Sequence, residues 1–137
     1  MTRARVETFH RRSLEDHGGQ DGIRNEHGLE SALAQPMNVY FYGQGDLYDM
    51  AAAYAYHLAE NQPFIDGNKR TAMATTFLFL AGNRRWWQAE SEDVRAHVAW
   101  IAASDAAARD EVLHYMTKYF SARLVDIDLD DVPDLPR

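Results

Sequence analysis

The chain has 137 residues, 46% of them hydrophobic and 12% aromatic, enough to build one packed domain and too apolar for a largely disordered chain. It carries 14 Lys and Arg against 21 Asp and Glu, a net charge of −7. That argues against a broad grip on nucleic acid, because phosphate backbones are held by clustered cations. The absence of Cys excludes disulfides, thiolate metal sites and thiol catalysis, and suits a cytoplasmic address. The longest nearly apolar stretch, 72–81, includes two Thr and is far shorter than the ~20 residues of a membrane span. The first ten residues lack the apolar core of an export signal, so neither a membrane nor secretion is expected.

Residues 5–17 are expected to form a first helix, with Val6, Phe9 and Leu14 on its apolar side, broken by Gly18, Gly19 and Gly22. A short helix follows at about 28–34 and ends at Pro36. Residues 37–45, MNVYFYGQG, are rich in β-branched and aromatic types and close on two Gly, which predicts an extended flap or hairpin. Asp46 can cap a helix over 46–60, where Leu47, Met50, Ala51, Tyr54 and Leu58 recur at helical spacing. After the loop QPFIDGN comes a helix over 69–81. Its centre, Phe77 to Leu80, is apolar on every side, which predicts burial in the middle of the domain. Two further helices are expected at about 91–103 and 105–122. The last stretch, 124–137, holds five Asp and one Arg, while the other 123 residues hold 16 acids and 13 bases. The expected organisation is therefore a mostly α domain over 1–123, with one small β element, and an acidic tail over 124–137. The alternating run Val125 to Asp130 fits an edge strand, a cover over a basic site or a solvated end. Trp86 and Trp87 fit either a partner surface or a cover over the core.

The chemistry is concentrated in Gln62-Pro63-Phe64-Ile65-Asp66-Gly67-Asn68-Lys69-Arg70-Thr71-Ala72. Gly67 tolerates backbone angles that let successive amides turn toward one point. The start of the next helix adds unpaired N–H groups and the positive end of its dipole. Together these make an anion nest suited to phosphate. Lys69 and Arg70 lie in the first helical turn, where cations oppose the dipole, so they serve something other than the helix. Asp66 beside a phosphate nest is placed as Mg²⁺ holders are. Phe64 is expected to pin the loop to the core. A plain turn with Asn68 as helix cap explains the same residues without a ligand, and both readings stand on the physics alone.

This segment resembles the signature of the Fic/Doc (Fido) family, and in particular its death-on-curing branch, which reads His-x-Phe-x-Asp-Gly/Ala-Asn-Lys-Arg-Thr-Ala. Phe64, Asp66, Gly67, Asn68, Lys69, Arg70, Thr71 and Ala72 meet it. Gly22 to Arg24, Gly28 to Pro36 and Ala51 to Leu58 resemble the family's surroundings, so the likeness covers about residues 22–83. The resemblance implies a single Fido-type helical domain with a short β-hairpin flap. It also implies a toxin of a toxin–antitoxin pair that uses ATP and Mg²⁺ to phosphorylate a hydroxyl of a translation factor, elongation factor Tu, and is held by an antitoxin chain in trans. By position, Asp66 would hold the metal, Gly67 and Asn68 would cradle phosphate, and Lys69 and Arg70 would neutralise its charge. Tyr42, Gly43 and Gln44 of the flap would hold the target. The AMP-transferring branch usually has Gly at the position of Lys69 and a further Arg at that of Met73, so transfer of AMP is the weaker reading.

Position 62 departs from the pattern. The family's His there accepts the proton of the target hydroxyl, and a carboxamide is no comparable base. Gln62 can still orient a hydroxyl through its amide oxygen. An engineered substitution, a natural variant with altered chemistry and a variant that binds without transferring all fit this residue. His57 is a substitute base to examine. No Ser or Thr is followed by Glu four residues later, so the family's self-inhibitory element is missing. An RNA-cleaving toxin fits poorly with an acidic chain.

Overall fold

The computed structural model describes residues 1–87 and 91–126. Six α-helices occur among them: α1 Arg3–His17, α2 Glu26–Phe41, α3 Leu47–Asn61, α4 Asn68–Gly82, α5 Ser91–Ala103 and α6 Arg109–Arg123. A 3₁₀ turn, Ala106–Ala108, precedes α6. Two three-residue strands, β1 Arg85–Trp87 and β2 Leu124–Asp126, pair antiparallel with Trp86 opposite Val125. The start of the acidic tail is thus an edge strand on the segment that follows α4, and its remainder, 127–137, lies outside the described residues. No helix among those described is long and apolar enough to cross a membrane.

The core is organised around α3, which packs against α2, α4, α5 and α6. Every residue from Ala51 to Ala59 is buried. Five of these are Ala (51, 52, 53, 55 and 59), small side chains that leave room for the neighbouring helices. The expected central element, α4, takes a more peripheral place: Leu80 is buried, while Phe77, Leu78 and Phe79 are only partly covered. Asp46 caps α3 as its sequence suggests. Its Oδ1 accepts from the Tyr48 and Asp49 amides, and Asp49 Oδ2 accepts from the Asp46 amide, closing a capping box.

The extended flap is a correction. Residues 37–41 continue α2, and Pro36 lies inside that helix. Leu29, Ala32 and Pro36 are buried at three- and four-residue spacing, so the proline ring sits on the face that packs against α3. An interior proline removes one helix bond and costs ~3 kcal/mol in isolation. Burial of the ring, and one further bond for each residue added beyond it, offset that cost. The helix ends where the Tyr42 and Gly43 amides both bond the Asn38 carbonyl. No hairpin forms at residues 42–45.

Candidate functional site

The signature loop is built at the junction of α3 and α4. Gln62 ends α3 in a left-handed conformation, φ 46 and ψ 58, which costs a non-glycine residue about 1–2 kcal/mol. Pro63 follows and cannot continue the helix. Two neighbouring segments hold this strained corner. The amides of Arg24 and Asn25 both bond the Pro63 carbonyl, and the Ile65 amide bonds the Gly22 carbonyl. The Arg24 guanidinium donates to the Gln62 carbonyl at 2.6 Å. From the other side Phe64, 1% exposed, stacks on the His10 ring of α1.

Gly67 turns the chain into α4 at φ 80 and is its N-cap, with no side-chain cap bond. The capping role open to Asn68 is not realised. Its side chain instead accepts from the Phe64 amide at 2.8 Å and donates to the Phe64 carbonyl at 2.9 Å. That closes the loop into a ring and leaves the helix end uncapped. The amides of Gly67, Asn68, Lys69 and Arg70 have no hydrogen-bond partner among the described residues, whereas that of Thr71 bonds the Gly67 carbonyl. Four free donors at a helix start suit an anion.

Gln62, Asp66, Gly67, Asn68, Lys69 and Arg70 line one cleft of about 550 Å³ with His17, Gly18 and Gly19 from the end of α1. Lys69 and Arg70 are exposed and make no ion pair among the described residues. Asp66 Oδ2 accepts the Gln20 amide at 2.7 Å, and its other oxygen has no protein partner among the described residues. One carboxylate oxygen beside a phosphate cradle is a donor set that fits Mg²⁺, which takes one or two carboxylates together with phosphate oxygens and water. Among the described residues no three His, Asp or Glu cluster as a protein-only metal cage would need.

Three proposed target-binding residues stand apart. Tyr42, Gly43 and Gln44 do not line the cleft but precede α3, whereas the cleft follows it. A 15-residue helix separates the two places by about 22 Å. His57 does not join the cleft residues: it is 8% exposed and absent from the cleft lining. Its burial, and then the charge of Arg109, push the imidazole down to about 4. Among the described residues the cleft's only histidine is His17, which the sequence presents as one of several scattered residues. Gly19 was equally silent: at φ +118 it lies so close that a Cβ would meet the Asp66 Cβ at 3.2 Å. The one local trace is the Gly18-Gly19 break after α1, and of its two residues only Gly19 lies against the Asp66 side chain, whereas a Cβ at Gly18 would meet nothing within 4 Å.

Residues 1–80 match the Fic/DOC family. That is more than half of the chain, which therefore belongs to the family. The chain is also 41% identical over 66 residues to a protein named Toxin Doc from Mycolicibacterium smegmatis (strain ATCC 700084 / mc(2)155). The match covers 46% of this chain and 50% of that protein, so the chain spans about half the length of this relative.

Proposed function

We propose that this chain is a Doc-type toxin that binds Mg²⁺–ATP in the cleft at 62–70 and passes the terminal phosphoryl group to a hydroxyl of a protein target. The observation that carries the reading is the convergence of four unpartnered amides, two unpaired cations and one half-free carboxylate on a single cleft. Phosphoryl transfer needs mainly positioning and electrostatic stabilisation, and this set supplies both. The backbone of Gly67 and Asn68 would hold the phosphates, and Lys69 and Arg70 would neutralise charge as it redistributes. Asp66 would hold Mg²⁺, which would supply positive charge beside the phosphates. The target oxygen would bond to the terminal phosphorus as the bond to the leaving diphosphate breaks.

The hydroxyl proton needs an acceptor. Gln62 lines the cleft and would orient the hydroxyl without taking its proton. Among the described residues His17 is the one imidazole in the cleft lining, and it would be the acceptor. Gln62 also favours a second reading, a nucleotide- or partner-binding module that transfers nothing. Lys69 and Met73 keep AMP transfer the weaker alternative.

By its resemblance the target would be a translation factor of the elongation factor Tu kind, in the cytoplasm. It would be large enough to touch both the cleft and the exposed end of α2, where Tyr40, Phe41 and Tyr42 are 56%, 63% and 85% exposed. An antitoxin in trans would lie beside the cleft. A groove of about 590 Å³ between α1, α4 and α5 combines Phe9, Met73 and Val98 with Arg12, Arg70 and Arg95. Its apolar floor and cationic walls suit an acidic amphipathic helix.

The test is labelling of purified elongation factor Tu with γ-labelled ATP and Mg²⁺, by the parent and by Gln62→His. Restoring a general base is expected to raise the rate by ~10²–10⁴-fold. A silent parent with an active His variant selects the binding-module reading. Label arriving from α-labelled ATP would replace phosphoryl transfer by AMP transfer. Absence of both label and nucleotide binding in both chains would refute the proposal.

A further inference from the structure

We propose that His10 is a positioning residue of the phosphate cradle, fixing the peptide between Asp66 and Gly67 so that the free amides share one orientation. The inference rests on the phosphate reading of the cleft. His10 lies one helical turn after Val6 on the inner side of α1, and both are buried. Its ring stacks on Phe64 with centroids 3.8 Å apart and an interplanar angle of 11°. Its Nε2 lies 2.8 Å from the Asp66 carbonyl oxygen. A carbonyl only accepts, so Nε2 carries the proton and donates. Nδ1 faces Asp21 Oδ1 at 3.9 Å, too far for a hydrogen bond. The ring therefore has one firm polar contact, and that contact is to the signature loop.

The consequence follows from peptide geometry. In a trans peptide the C=O and the following N–H lie in one plane and point in opposite directions. Holding the Asp66 oxygen against α1 thus aims the Gly67 N–H away from the His10 ring. A glycine at φ 80 offers little steric resistance to rotation of that plane, so the conformation needs a clamp from outside the loop. His10 is that clamp. Phe64 fixes the ring, and the ring fixes the carbonyl. Asp66 is gripped on its side-chain end as well, by the Gln20 amide. The Asp66 backbone and carboxylate are thus both set by the segment 10–20 rather than by their own loop.

The test uses the full chain. Calorimetry would measure Mg²⁺–ATP uptake by the parent, by His10→Phe and His10→Leu, which lack the donor, and by His10→Gln, whose amide restores one. Thermal melting would report folding. The expected result is that a donor-less variant that still folds loses ~10–100-fold in affinity, the range seen when a ligand-orienting partner is removed, and that the Gln variant recovers most of it. A folded donor-less variant within twofold of the parent would overturn the proposal, as would an equal loss in the Gln variant, which would assign the effect to packing. Nitrogen-15 NMR of the unmodified chain provides an arm that needs no variant: protonation at Nε2 is required, and a neutral ring protonated only at Nδ1 refutes the clamp. A parent that takes up no nucleotide removes the phosphate reading and this proposal together, whereas binding unchanged by donor loss removes this proposal alone.

Discussion

At the scale of single residues, the signature and its supports differ in how far they could be read. The turn with free amides at 66–70 declares itself because it is made by consecutive backbone, and the residue types that permit it are adjacent in the chain. The residues that hold this turn do not. His10 meets Asp66 across 56 positions, Gln20 across 46, and Arg24 meets Gln62 across 38. Nothing local marks such pairs. His57 makes the same point from the opposite side. As a histidine five residues before Gln62 it invites a catalytic role, yet burial on α3 keeps it neutral. With its pKa at about 4 in the fold and near 6.5 unfolded, only the unfolded chain gains a proton between those values. Stability present above pH 6.5 is therefore lost as pH falls toward 4. Urea midpoints at pH 7 and pH 5 are expected to show a loss that is smaller by about 2 kcal/mol in a His57→Phe chain than in the parent. Equal losses in the two chains would remove His57 from the acid response.

Elements were legible to the extent that their ends carry local chemistry. The Asp46 box, the Gly18 stop of α1 and the left-handed Gln62 before Pro63 are short-range devices, and the helices they bound lie where the spacing puts them. The strength of one such device is measurable. Asp46→Ala removes both cap bonds at the start of α3 and is expected to cost ~1 kcal/mol, seen as a lower denaturant midpoint at unchanged slope. No change in the midpoint would mean that tertiary contacts alone hold the start of α3. Element α2 shows where local reading fails. Pro36 and the β-branched and aromatic run after it argue for an extended chain, but each preference is small beside the burial of Leu29, Ala32 and Pro36 against α3. The flap expected to face the target is accordingly the far end of a helix.

At the scale of the whole molecule, α3 is the axis on which the other helices are placed, and its alanines set the distances between them. The Ala52 side chain is fully buried, so Ala52→Leu has no room without moving a neighbouring helix. A loss of ~1–3 kcal/mol is expected, measurable by chemical denaturation. Because the signature loop links α3 directly to α4, the same variant is also expected to weaken Mg²⁺–ATP uptake. A Leu chain as stable as the parent would show the helix spacing to be slack.

The sequence by itself determined the helical class, most helix ends and the glycine turn that opens α4, because each of these depends on residues within a few positions of one another. Tertiary structure alone decided that α3 rather than α4 is central, that α2 runs through its proline, and that α1 and the turn after it bring His10, His17 and Gly19 to the loop. Those outcomes depend on which surfaces are buried against each other. Burial sums many weak contacts between distant segments, and no short stretch of sequence records that sum.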